Sequence, residues 1–290
     1  MTIAARLLDL AFVAGGNPLS HVLPHPIYQE EADLGFFTQE GVITVLSDQI
    51  LTMIVGGLLL MLVFAPLVRK RRGDGEVDGL VPTGFSNAIE AICHYLREEV
   101  ARPAMGPYTD RFIKYIWTAF FFILTMNLLG LIPVSSVGKL FGVYIGGTPT
   151  TNIWITGTLA FITFGMMVIN GLRLGGKAYL AHFSPGPLWM APIMIPVEII
   201  GTIAKACALA LRLFAAMSAG HILMTVLVSL ILMAGQGLGA VGGFGIGAVV
   251  VAGSVAITMV EIFVAFLQAF IFTYLSALFI GQSVNLHHDH

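Results

Sequence analysis

Charge is what this chain has least of. Only 10% of its 290 residues are Asp, Glu, Lys or Arg, against about 25% in a soluble domain. A net charge of −2 without a long basic tract removes any reason to expect nucleic acid as a partner. Two cysteines, Cys93 and Cys207, are too few for a disulfide framework, and Cys207, set in an apolar run, reads as a small buried thiol. Also missing are a phosphate-binding glycine loop, a nucleophile elbow and a zinc motif, so no ATP site, catalytic centre, cofactor or metal is expected of the chain itself. Apolar residues are what remain. A hydrophobic share of 57% and a mean hydropathy of +0.90 mark an integral membrane protein.

Residues 1–47 mix Pro, His and acid in "NPLSHVLPHPIYQEEADLGFF" and are expected to form an extramembrane segment with little regular structure. The opening "MTIAARLLDLAFVAGG" has the outline of a signal peptide, but Asp9 interrupts its short apolar core and argues against that reading. "QILTMIVGGLLLMLVFAPLV", 49–68, carries no charge and is long enough to cross a hydrocarbon core of about 30 Å. Arg69, Lys70, Arg71 and Arg72 follow, which places the N-terminus outside and residue 70 in the cytoplasm. Phe85, Ile89, Ile92, Leu96 and Val100 recur at helical spacing among charges and predict a helix lying on the cytoplasmic surface. The second span is predicted at 113–133, with Tyr115 and Trp117 as interfacial anchors, and the third at about 149–171. Lys139 is the one basic residue of the loop between them, whereas 69–114 holds eight Lys or Arg. The second span therefore leads outward and the third returns, leaving 172–189, with Arg173, Lys177 and His182, in the cytoplasm.

From Leu188 to Ala234 the chain is almost continuously apolar. As one straight helix it would measure about 70 Å, more than twice the hydrocarbon thickness. A second long run, about 246–280, follows "AGQGLGAVGGFG" (234–245), in which six of twelve residues are glycine. The pattern predicts two long antiparallel helices joined by a glycine turn. The expected fold is all-α, an integral membrane protein with about five to six membrane-associated helices, the last two a long, tilted antiparallel hairpin. It divides into an extramembrane segment (1–47), the first span with its interfacial helix (48–111), the second and third spans with their outer loop (112–185), and the hairpin (186–290). The C-terminus then lies in the cytoplasm.

Ionisable residues inside a membrane are costly, about 2.5–3.5 kcal/mol each on insertion scales, and tend to mark a pathway or a pair. Here they are Glu198, Lys205, Arg212 and His221 on the first long helix, with Glu261 and Gln268 on the second. Glu198, Lys205 and Arg212 recur every seven residues and so share nearly one face, and Glu261 and Gln268 repeat that spacing. In an antiparallel hairpin centred on the glycine turn, Arg212 falls opposite Gln268, and His221 opposite Glu261, nearer the turn. His221 and Glu261 then occupy the outer half and can titrate, while Glu198 lies towards the cytoplasm. Arg212 keeps its proton at any accessible pH. A fixed cation between two wet half-paths repels a hydrated proton and favours an ionised carboxylate beside it, which must come from another chain.

"LRLFAAMSAGHI" together with "EIFVAFLQAFIFTYL" resembles subunit a of the F-type ATP synthases, the stator that faces the rotating ring of c subunits. "TMNLLGLIP" (125–133), with Asn127, resembles the family's second-span motif, while the first 110 residues match only in layout. The resemblance implies that Arg212 is the essential arginine separating two offset half-channels and meeting the ring carboxylate. It implies His221 and Glu261 on the outer channel, Glu198 on the inner one and Gln268 near Arg212. It also implies a ring of c subunits, b-type peripheral stalk subunits and the remaining synthase subunits as partners, in an energy-coupling membrane such as the bacterial inner membrane. Many bacterial members carry the histidine and glutamate of the outer pair exchanged; the order here resembles the mitochondrial one. Ala216 stands where Asn is common, and Gly130 where some members have an acid, which puts a proton path through either position in doubt.

Blander readings stand beside these. Lys205 serves equally well as a side chain snorkelling to the inner interface, and Gln268 and Asn127 as helix-to-helix hydrogen-bonding groups. Glu198 is about 21 Å from Arg212 along an ideal helix, too far for an ion pair. His94 and His182 have no helical pairing that favours haem, and "HHDH" at 287–290 reads as a tail. A self-contained proton- or sodium-coupled transporter predicts repeated halves, and none are found. A haem-bearing respiratory subunit would show a haem spectrum. The coupling ion, H⁺ or Na⁺, is set largely by the ring's own binding site.

Overall fold

The structure, a computed structural model, describes residues 26–31, 42–68, 84–131, 148–176, 179 and 191–285. The leader-like N-terminal stretch, the basic run 69–72, Lys139, Lys177, His182 and the tail 287–290 lie outside the described residues. Two compact units are each assembled from three stretches of the chain.

The first unit takes in Met1–Gly56, Met126–Ile153 and Leu213–Leu267. Its first elements correct the expectation of an irregular N-terminal segment: β1 (Pro26–Glu31) pairs antiparallel with β2 (Val42–Ser47), Gln29 opposite Thr44 and Glu31 opposite Val42. The β-branched run Val42, Ile43, Thr44, Val45 favours extended backbone, and the Pro and acid nearby obscured it. Ser47 ends the strand and starts a helix. Its hydroxyl accepts from the Ile50 N–H at 3.3 Å, satisfying one of the orphan donors at the N-terminus of α1 (Asp48–Val68). Gly56 of α1 lets Met126 approach closely: a Cβ there would lie 2.8 Å from the Met126 Cε.

The second unit takes in Gly57–Thr125, Trp154–Arg212 and Gln268–His290. α2 (Phe85–Tyr95) runs through a π turn (Leu96–Ala101) into α3 (Arg102–Met105), a 3-10 turn (Gly106–Tyr108) and α4 (Thr109–Leu131). Gly106, with φ +54°, supplies the left-handed residue that stops α3 and redirects the chain. Of the apolar face predicted for this stretch, Ile89, Leu96 and Val100 are buried and Phe85 is exposed. Arg97 pairs with Asp110 at 2.6 Å and Arg102 with Glu98 at 2.5 Å. Tyr115 and Trp117, expected as interfacial anchors, both form hydrogen bonds within the unit. The Tyr115 hydroxyl meets Thr163 Oγ1 at 2.6 Å, and the Trp117 indole donates to the Cys93 carbonyl at 3.0 Å. α5 (Ile153–Asn170) continues into a π turn, Gly171–Gly175.

The last element, α6 (Ala191–Val284), carries helical backbone on both sides of the reversal expected from the sequence. The reversal is shown by Gly220 and Glu261, about 40 residues apart in sequence yet in contact. Two arms result, Pro192–Leu227 and Val249–Val284, each long and apolar enough to cross a membrane, as are Phe85–Leu131 and Ile153–Gly175. Met61, Leu62, Phe161 and Trp154, each about seven-tenths exposed, present apolar surface of the kind lipid covers. Cys207, expected to be buried, is exposed because it falls on the outward side of the first arm with Ala204, Ala208 and Leu211.

Candidate functional site

Six of the seven polar residues singled out in the sequence lie on α6, where only the burial and partners of each can separate pathway from scaffold. In the first unit, Gly220 and Glu261 face each other across the reversal. A Cβ on Gly220 would sit 2.6 Å from Glu261 Oε1, which puts His221, the next residue, within one position of the expected register. Glycine allows this approach because it has no side chain to interpose. Ala216, Met217, Gly220, His221, Glu261 and Val264 line a small cavity between the arms, with room for about one water molecule. The imidazole and the carboxylate thus share one polar pocket within apolar walls.

His221 has a second neighbour that sequence reading missed. Its Nε2 contacts the Thr148 hydroxyl, which also bonds to the Gly130 carbonyl at 3.3 Å. Gly130 approaches Thr148 so closely that any Cβ there would overlap the threonine side chain. Asn127 is fully buried and donates to the Ala265 carbonyl at 3.2 Å, tying α4 to the second arm. Its Oδ1 has no partner among the described residues.

The second unit holds the other four. Arg212 is exposed, with no carboxylate within ion-pair distance among the described residues. Ala208 and Ala204, four and eight residues before it on the same helix face, are also exposed, so the guanidinium is set beside small side chains. Gln268 and Glu198 are half-buried, and no hydrogen bond or ion pair joins either to Arg212 among the described residues. Lys205 donates to Gln282 Oε1 at 3.4 Å, and its Nζ lies 5.7 Å from the Phe279 ring centre, so its ammonium group is occupied at the protein's edge. Tyr179, also missed, is buried against Gly171. Burial, and then the charge of Glu198, push its phenol above the ordinary value, which keeps it protonated near Glu198. Nothing in the local sequence of Thr148 or Tyr179 signals these placements; a glycine at a helix crossing, such as Gly220, does.

Four helices long and apolar enough to span, with ionisable side chains inside two arms of the last, define a multi-pass membrane protein. Residues 50–281 match the family model described as ATP synthase A chain. The chain belongs to that family. It is 36% identical over 285 residues to ATP synthase subunit a of Chlorobium phaeobacteroides, covering 96% of this chain and 77% of that one. ATP synthase subunit a 2 of Prosthecochloris aestuarii is 40% identical over 238 residues, 81% of this chain and 68% of its own length. ATP synthase subunit a of Myxococcus xanthus is 39% identical over 222 residues, 75% and 67% respectively.

Proposed function

We propose that this chain is the ion-conducting stator subunit of a rotary F-type ATP synthase. It gives a ring of c subunits two offset half-channels, kept apart by Arg212. Ions enter from outside past His221 and Glu261, neutralise a ring carboxylate, travel with the rotor and leave past Glu198 to the cytoplasm. Gln268 lies near Arg212; Lys205 and Asn127 border the path. Each elementary charge moving down 100 mV releases about 2.3 kcal/mol. The b-type stalk subunits hold the chain against the ring's rotation. The host membrane is a bacterial inner membrane, with the N-terminus outside and the C-terminus in the cytoplasm.

The observation that carries this reading is the exposed, carboxylate-free Arg212 on an apolar helix face lined by Ala204 and Ala208. A fixed cation in lipid costs about 2.5–3.5 kcal/mol. Small neighbours let another helix bring a carboxylate to it, which offsets that cost. Arg212→Ala in the assembled synthase is expected to abolish coupled ATP synthesis driven by an imposed proton gradient. Synthesis at the normal rate in R212A would remove the proposed role.

A further inference from the structure

We infer that Thr148 is a positioning residue for the outer ion path: its hydroxyl fixes His221 with the hydrogen on Nε2, leaving Nδ1 as the nitrogen that takes up and releases the proton. This rests on the reading of His221 as an outer-path residue.

The hydroxyl of Thr148 has one hydrogen to donate. The Gly130 carbonyl, 3.3 Å away, can only accept, whereas Nε2 can donate or accept, so both contacts are satisfied together only when that hydrogen goes to the carbonyl. The hydroxyl oxygen is then left as an acceptor towards His221 Nε2, and the nitrogen facing it must carry a hydrogen. Neutral imidazole has one N–H, which leaves the lone pair on Nδ1. A proton that arrives binds Nδ1, the Nε2–H stays in place, and the same proton departs from Nδ1. In the reverse tautomer the Nε2 lone pair would face the hydroxyl oxygen's lone pairs unless Thr148 gave up Gly130.

The surroundings hold Thr148 firmly enough for this. Its backbone carbonyl accepts from the Thr151 N–H at 3.0 Å and from the Thr151 hydroxyl at 2.7 Å, which opens the 3-10 turn Pro149–Thr151. Thr151 in turn accepts from Gln49 Nε2 at 3.4 Å. On the other side Gly130 closes on the threonine side chain, leaving no space for even a methyl group. Among the described residues, Glu261 is the one titratable group that shares the cavity with His221; the other lining residues carry no charge. The imidazole therefore sits between a carboxylate that titrates and a hydroxyl that does not.

The test measures ATP-driven proton pumping in inverted membrane vesicles carrying the assembled synthase, normalised to the amount of this chain present, across a range of pH. Thr148→Val keeps the shape and removes the acceptor, so flux is expected to fall about tenfold, the worth of one hydrogen bond to a charged group, with a displaced pH profile. Thr148→Ser keeps the hydroxyl and is expected to retain flux and profile. In a His221→Gln background T148V is expected to add nothing, because the two changes act through one ring. Should T148V fail to assemble, Thr148→Ala carries the same expectation. Normal flux in T148V, a T148S as impaired as T148V, or losses that multiply in the double variant would overturn the inference. Impaired H221Q with normal T148V overturns it alone, whereas normal flux in H221Q removes the outer-path reading and this inference with it.

Discussion

Replacing Gly220 by alanine separates the function of the His221–Glu261 pocket from its stability. The new methyl carbon would lie 2.6 Å from Glu261 Oε1 and 3.3 Å from its Cδ. Ordinary contact begins at about 3.5 Å, so the carboxylate must retreat by about 0.9 Å. That group is the free end of a flexible side chain, and moving it off its rotamer costs about 1 kcal/mol. Alanine in place of glycine returns about the same amount through helix propensity. The chain should therefore fold and assemble at its normal level. Proton transfer is less forgiving, since a misplacement of about 1 Å can cost up to about a hundredfold. ATP-driven proton pumping in inverted vesicles is expected to drop about tenfold in G220A, and further in Gly220→Val, whose branches fill the cavity that Glu261 shares with His221. If both variants assemble and pump at the normal rate, the pocket between the arms does not carry the ion.

Two substitutions probe the second unit. Gly281→Ala should be poorly accumulated in membranes, because its methyl would overlap the Ala104 carbonyl, a backbone group that cannot step aside; overpacking of this kind costs about 1–3 kcal/mol. Immunoblotting the membrane fraction measures it, and a normal level would mean the two backbones are less close. Lys205→Ala loses an edge hydrogen bond to Gln282 and a contact with Phe279, together about 1 kcal/mol. ATP synthesis in K205A is expected to stay within about twofold of normal, as for a cation that borders the path without handing on the ion; a tenfold loss would mean that Lys205 itself handles the ion.

Much of the membrane architecture was legible because lipid imposes few solutions: a charge-free run of the right length must be a helix, as Asp48–Val68 is. The hairpin register was legible too. Polar groups stand out against an apolar background, and matching His221 to Glu261 fell within one residue of the observed Gly220–Glu261 contact. Two features escaped. The hairpin of β1 and β2 was hidden because Pro and acid outweighed the β-branched run that forms its second strand. Thr148 reaches His221 across 73 residues of sequence, through a hydroxyl with no local periodicity to betray it.

The account as a whole turns on which way Arg212 points in the working assembly. A density map of the intact synthase in lipid would measure it directly. The account predicts the guanidinium facing the ring, within about 4–6 Å of a ring carboxylate, with water reaching that level from each side but not passing it. An Arg212 turned towards lipid or stalk, or a continuous water column running past it, would contradict the account.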